Sequence, residues 1–250
     1  MERLNSCALH TRMKNWYEDR HQVLLPRRTY TIIRIDGKAF HTFTRGCDKP
    51  YDTKLMTAMD KTAEILCKEI QGCRLAYVQS DEISLLLTDF DKTTTQSWFD
   101  GNVQKITSIS ASIATAHFNN MYGWWRSDGV LACFDSRCFT IPDPVEVQNY
   151  FVWRQQDATR NSIQMAAQMY FSPKQMNGVN CDHLQENLFA EHGINWNDYP
   201  EGFKRGRCVI PSEVEIDGIF RSTWGIVDPP VFTKDVDFLR SRIPVLHRDE

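Results

Sequence analysis

Two rhythms of apolar and polar positions organise the first half of this chain. Tyr30, Ile32, Ile33 and Ile35 form a β-branched run of strand length that stops at Asp36-Gly37, a turn pair that no buried strand interior holds. From Asp52 the spacing changes to three and four. Leu55, Met59, Ala63, Leu66 and Ile70 fall on one helical face, with Asp52 as N-cap and Gln71-Gly72 as the stop. Strands over residues 74–78 and 83–87 follow, joined through Gln79-Ser80-Asp81-Glu82. Val103, Ile106, Ile109 and Ile113, with Ala114 or Ala116, then mark a helix over residues 102–121. A last strand is expected within residues 130–140, interrupted at Asp135-Ser136.

The order strand, helix, strand, strand, helix, strand is the α+β, ferredoxin-like (βαββαβ) arrangement, an antiparallel sheet with its helices on one face. In that topology the third strand lies between the first two, so the end of the first strand and the turn at Asp81 are neighbours. An isolated Asp-Gly is ordinarily only a turn. A second acidic junction beside it changes the meaning. Two close carboxylates repel unless they share a proton or a cation, and hard oxygen donors with no His or Cys nearby suit Mg²⁺. Two such ions, ~3.5–4 Å apart, stabilise the attacking and leaving oxygens of phosphoryl or nucleotidyl transfer. Candidate phosphate ligands are the backbone amides from Gly37 through Ala39 to Phe40, and the side chains of Lys38, His41, Lys49, Ser80 and Lys105. Each of these side chains alone reads equally well as solvated surface. Glu82 stays open: alternation puts it opposite Asp81 unless the turn contains both.

Residues 141–250 read as an extension packed on residues 1–140, the whole forming one compact unit. A helix is expected over 144–170, ended by Phe171-Ser172-Pro173, because the residue before a proline leaves the helical region. Another helix falls within 175–193, and Lys204-Arg205-Gly206-Arg207 opens a β-hairpin through 209–220. Near the start, a short helix over 8–20 carries Arg12, Lys14 and Arg20, and Arg27 and Arg28 follow, making this arm basic.

With 250 residues, 42% hydrophobic and 12% aromatic, the chain has enough apolar side chains for a large core. A net charge of −3 argues against indiscriminate coating of nucleic acid, which needs a wide basic surface. Any RNA contact must use local patches. No apolar run approaches the ~18 residues of a membrane span, so a cytoplasmic protein with no membrane partner is expected. The eight cysteines include no Cys-x-x-Cys pair and read as free thiols, while Cys181, His183 and His192 are too few and too loosely spaced for zinc.

RIDGKAFHTFTRG followed by KPYD, then YVQSDEISLLL, FDSR at 134–137, WRQQDATRNSI at 153–163 and GINWNDYPEGFKRG at 193–206 resemble the tRNA(His) guanylyltransferase superfamily. Those enzymes add nucleotides to RNA 5′ ends in the 3′-to-5′ direction. The resemblance runs from about residue 8 to about residue 225, with the motifs in order. It implies a polymerase-like palm in which Asp36, Asp81 and the Gly37 carbonyl hold two Mg²⁺ ions, with Glu82 a further acid near them. It also puts the nucleotide along Asp36-Gly37-Lys38-Ala39-Phe40-His41 and Ser80-Asp81. The implied chemistry is activation of a 5′-monophosphate end by ATP or GTP, then attack by the 3′-hydroxyl of an incoming nucleoside triphosphate. tRNA is the implied partner and a homotetramer the implied assembly, with RNA contacts expected at Arg27, Arg28, Arg154, Arg160, Asn161, Lys204, Arg205 and Arg207. Phe203 and Trp224 are suited to stacking a base.

One departure bears on substrate. Eukaryotic members that guanylylate histidine tRNA carry His-Ile-Asn-Asn-Leu-Tyr-Asn after Trp-Arg-Gln, whereas this chain has Thr159-Arg160-Asn161-Ser162-Ile163-Gln164-Met165, in which Asn161 survives. The form here looks like the guanylyltransferase-like proteins of bacteria, archaea and phages. Template-directed repair of tRNA 5′ ends is therefore expected, with non-templated G addition to histidine tRNA as the alternative. A cyclase-like nucleotide enzyme and a non-catalytic RNA-binding module fit less well: the first leaves the long extension without a purpose, and the second gains nothing from paired carboxylates.

Overall fold

The computed structural model describes residues 6–126, 128–216 and 219–246. Helix α1 (Ser6–Met13) runs on through single helical turns at Lys14–Glu18 and Asp19–His21. Then come β1 (Tyr30–Gly37), the short α2 (Phe40–Phe43), α3 (Thr53–Glu69), β2 (Cys73–Gln79), β3 (Glu82–Leu87), α4 (Val103–Tyr122) and β4 (Phe134–Ile141). The remainder forms α5 (Pro144–Ala167), α6 (Pro173–Met176), α7 (Cys181–His192), α8 (Glu201–Arg205), β5 (Arg207–Ile216), β6 (Ile219–Val227) and α9 (Asp237–Arg240).

Asp52 caps α3 as expected, accepting from the backbone N–H groups of Lys54 and Leu55, each at 2.9 Å. The six strands lie in the order β4-β1-β3-β2-β5-β6, and every pairing is antiparallel. The third strand does sit between the first two. Asp36 is opposite Glu82 on one side and Asp135 on the other, and pairing of Gln79 with Glu82 leaves Ser80-Asp81 as the connecting turn.

Ile33, Ile35, Val78, Ile83 and Leu85 pack against the apolar stripes of α3 and α4. Both palm helices thus lie on one face. The opposite face is also covered, because Tyr30, Ile32, Leu75, Tyr77 and Leu86 pack on Val147, Tyr150, Phe151 and Ala158 of α5 and on Phe232, Leu239 and Ile243. Ile32, Ile33, Ile35 and Ile83 are wholly buried, each contributing roughly 1.5–3 kcal/mol. Burial on both faces explains why β2 and β3 read as nearly unbroken apolar runs.

Four details differ from the expectation. Strand β4 is continuous through Asp135-Ser136, since an edge strand has an open side that tolerates polar residues. The hairpin starts at Arg207 and runs to Val227, and it joins the palm sheet through Ala76 opposite Val209 and Tyr77 opposite Cys208, covering what would be a bare β2 edge. The helix expected over 175–193 is two pieces, broken at Gly178 (φ 76°) and restarted by Asn180, whose side chain accepts from the His183 amide. Helix α5 ends at Ala167, short of residue 170.

Candidate active site

The end of β1 is fastened to its neighbours by backbone. Gly37 donates to the Asp81 carbonyl at 3.1 Å, and Lys38 donates to the Cys133 carbonyl at 2.8 Å. A Cβ on Gly37 would lie 2.2 Å from the Phe40 ring, so only glycine lets that ring fold back under the strand end. Phe40 then packs on Phe43, Phe118 and Phe134 with ring centroids 5.0, 5.6 and 5.1 Å away. The loop after β1 is therefore anchored by aromatic packing, and Phe40 has only its backbone to offer a phosphate. Ala39 (φ 54°) starts α2 in the left-handed region, and Ser80 (φ 45°) turns β2 into β3 the same way. Such positions cost about 1 kcal/mol or more for a residue with a Cβ and concentrate at functional sites.

Asp36 and Asp81 come together at this edge, and their electrostatics fit a cation. Burial, opposed by the backbone and Ser80 hydroxyl and reinforced by the charges of Asp36 and Glu82, pushes Asp81 up to about 6. Arg137 Nη2 lies 3.8 Å from Asp36 Oδ2 but is closer, at 3.1 Å, to Asp135. The paired carboxylates with the Gly37 carbonyl make an all-oxygen donor set suited to Mg²⁺. Among the described residues no cluster of three or more His, Cys, Asp or Glu side chains is placed to hold a metal.

Glu82 behaves differently from the expected third acid. Its two oxygens are held by Arg154 Nε at 2.8 Å and Nη2 at 2.9 Å, and both side chains are buried. The pair ties α5 to the sheet. Arg154 also reaches Asp157 at 2.7 Å.

Beside the carboxylates opens a cavity of about 470 Å³, within the usual range for a small-molecule site of roughly 300–1,000 Å³. Gly37, Ser80, Asp81, His41 and Lys49 line it, and so do Tyr51, Asn161, Met165, Phe203 and Arg207. Lys38 is exposed beside it. The walls contributed by Tyr51, Gln79, Met165 and Arg207 were not assigned to a nucleotide site from sequence, although KPYD placed Tyr51 two residues from Lys49.

Several expected contacts lie elsewhere. Lys105 stands in the first turn of α4, which Asn102 caps at 3.0 Å. The part of α4 that packs on the loop after β1, at Phe118 against Phe40, lies about 20 Å further along the helix axis. The Arg27 Nε and the Arg28 backbone N–H donate to Asp89, just beyond the far end of β3. As surface RNA contacts, Arg154, Lys204 and Arg207 are corrected by burial: they are 5%, 3% and 5% exposed. Lys204 spends its ammonium on the Asn197 carbonyl and Glu201, both at 2.6 Å. Arg160 and Arg205 line a separate groove with Lys234 on the other side of α5. Phe203 stacks near Tyr51 in the cavity wall, while Trp224 packs against the core. Cys47, Cys67, Cys73, Cys133, Cys138, Cys181 and Cys208 are free, and among the described residues no helix is long and apolar enough to cross a membrane.

Comparison with known proteins agrees with this fold. The family model described as tRNAHis guanylyltransferase matches residues 10–142. The tRNA(His) guanylyltransferase of Kluyveromyces lactis is 33% identical over 209 residues, 76% of this chain and 85% of that protein. The tRNA(His) guanylyltransferase of Saccharomyces cerevisiae is 30% identical over 207 residues, 76% of this chain and 85% of its own length. A bacterial tRNA(His) guanylyltransferase (Thg1)-like protein solved in complex with ATP superposes with a TM-score of 0.87 at 46% identity, covering 94% of this chain and 99% of that one. A structure of such a protein in complex with GTP gives 0.83 at 43% identity, covering 95% and 100%. With a palm sheet that brings Asp36 and Asp81 to one edge and a model match over more than half its length, this chain belongs to the tRNAHis guanylyltransferase family of nucleotidyltransferases.

Proposed function

We propose that this enzyme adds nucleotides to the 5′ end of tRNA in the 3′-to-5′ direction, selecting each by pairing with the opposite strand. The observation that supports the reading is the juxtaposition of Asp36 with Asp81, the second of which lines a nucleotide-sized cavity. Asp36, Asp81 and the Gly37 carbonyl are the residues that would hold Mg²⁺, which supplies Lewis-acid stabilisation of charge on the transferring phosphoryl oxygens.

The other residues bind and orient. His41, Lys49 and the amides of Ala39 to His41 line the approach to the carboxylates, and the first turn of a helix leaves such amides free to receive phosphate. In the activation step the RNA 5′-monophosphate attacks the α-phosphorus of ATP or GTP and pyrophosphate leaves. In the addition step the 3′-hydroxyl of the incoming nucleotide attacks the activated 5′ phosphorus and the nucleoside monophosphate leaves. A 5′-triphosphate end enters at the second step.

Templated selection is supported by α5. Asn161, Ser162 and Met165 line the cavity, and this is the stretch where the chain departs from the motif that the resemblance links to histidine tRNA. The RNA surface is best sought along Arg160, Arg205 and Lys234. Trp124 and Leu131, 84% and 75% exposed on the segment after α4, suit burial against another copy in a tetramer. Incubating the protein with Mg²⁺, nucleoside triphosphates and a 5′-truncated tRNA, beside a control without RNA, tests the reading. RNA extended at its 5′ end supports it, and cyclic or other RNA-independent nucleotide products would replace it with the cyclase-like alternative.

A further inference from the structure

Arg207 is a buried cation with one hand free. Its Nε donates to Asp60 Oδ1 at 2.6 Å and its Nη1 to the Gly202 carbonyl at 2.9 Å. Its Nη2 is buried and has no hydrogen-bond partner, yet the residue lines the cavity. Arg207 pairs with Val78 across the β2–β5 ladder, and the next residue, Gln79, turns to the other face of β2, so the two side chains share only the cavity at the strand end. Gln79 is 5% exposed, also lines the cavity, and its Oε1 is likewise buried without a partner. A buried donor and a buried amide left unpaired are each costly, and native proteins seldom leave them so without a use.

The local backbone is shaped to hold this guanidinium. A Cβ on Gly202 would lie 2.7 Å from Arg207 Cδ and 3.1 Å from Asp228 Oδ1, so glycine is what admits the side chain. Asp60 offsets the charge of Arg207, which makes Nη2 a directional donor to a neutral acceptor rather than an anchor for phosphate. Its position agrees. Arg207 opens β5, three strands across the sheet from β1, where Asp36 sits, a lateral distance of roughly 14 Å. Tyr51 and Phe203, with ring centroids 5.0 Å apart, line the same cavity and offer apolar surface to a planar ring.

We propose that Arg207 Nη2, together with the Gln79 carboxamide, reads the base edge of the nucleotide that enters this cavity. The nucleotide meant is the activating ATP or GTP of the first step and not the templated incoming one, so its base is a purine, as in the ATP and GTP complexes of the bacterial relatives. A ring nitrogen or exocyclic oxygen accepts from Nη2, and Gln79, which can accept or donate, pairs with the adjacent position of the same edge. This rests on the nucleotidyl-transfer reading for the placement of the triphosphate at the Asp36 end.

The test is equilibrium binding of ATP, GTP and inorganic triphosphate to the full-length chain without RNA. Arg207→Lys keeps a cation on Asp60 but removes Nη2, and the double variant Asp60→Asn/Arg207→Met removes both charges so that no buried carboxylate is orphaned. Both variants are expected to bind ATP and GTP about tenfold or more weakly and inorganic triphosphate as wild type does. Thermal melting identifies a variant that has unfolded, and the other then decides. Unchanged ATP and GTP affinity in a folded variant overturns the proposal, as does an equal loss for triphosphate. A wild-type enzyme that extends no RNA would instead overturn the proposed function and leave this binding result readable.

Discussion

Gly37 donates its backbone N–H to the carbonyl of Asp81 over 3.1 Å, and this bond fastens the end of β1 to the β2–β3 turn. Two carboxylates 45 positions apart in sequence are thereby held at one edge of the sheet. Packing elsewhere keeps them there despite their repulsion, and that strain is measurable.

Asp81 is pushed up to about 6, chiefly by burial and further by Asp36 and Glu82. A carboxyl whose folded pKa is raised favours the fold below its unfolded pKa of about 4 and loses that contribution as pH rises to about 6. Without divalent cation, Asp81→Asn should therefore be more stable than wild type by about 2–3 kcal/mol near neutral pH and no more stable below about pH 4. Denaturant unfolding at both pH values checks this. A stability difference that does not change with pH contradicts the assignment.

The buried Glu82–Arg154 pair should behave as structure. Arg154→Ala leaves a buried carboxylate uncompensated and should cost about 3–5 kcal/mol. Glu82→Gln should cost less, because Asp157 still pairs with Arg154 at 2.7 Å. If Arg154→Ala unfolds at the wild-type denaturant concentration but binds tRNA poorly, Arg154 is an RNA contact after all.

Gly37→Ala places its Cβ 2.2 Å from the Phe40 ring, while a Cβ on Gly46 meets nothing within 4 Å. The first substitution should cost roughly 1–3 kcal/mol, as overpacking does, and should lower activity by shifting the β1 end. Gly46→Ala, beyond α2, should be nearly neutral. Equal behaviour of the two would mean that Phe40 does not set the strand end.

His41→Ala and Lys49→Ala separate the two chemical steps. If these side chains serve activation, activity should fall mainly on 5′-monophosphate RNA. If they bind the incoming triphosphate, it should fall on every RNA end. Wild-type rates on both kinds of end would remove them from the site.

What the sequence made legible followed from local pattern. Apolar runs that end in Asp36-Gly37 and Asp81 announce strand ends, and the topology then makes those ends adjacent. Helical periodicity, by contrast, reports which face is buried and not which end approaches a site, and Lys105 stands in the first turn of α4, away from Phe118, where that helix meets the loop after β1. Contacts between distant positions left no local mark: Arg154 meets Glu82 across 72 residues and Arg207 meets Asp60 across 147. Arg207 reads as surface because Lys204 and Arg205 stand beside it, whereas Arg154 is expected at the RNA only through the resemblance. The polar Asp135-Ser136 pair looked like a break because nothing in it says that β4 is an edge strand.

The most direct test of the account uses a tRNA lacking its first 5′ nucleotide, with the base opposite the gap set in turn to each of the four identities. Wild-type protein, Asp36→Asn and Asp81→Asn are supplied with Mg²⁺ and all four nucleoside triphosphates, and the added nucleotide is sequenced. The account predicts that wild type adds the complement of the opposite base in every case and that neither variant adds anything. G added regardless of the partner would contradict templated selection, and near-normal addition by either variant would contradict the Asp36–Asp81 site.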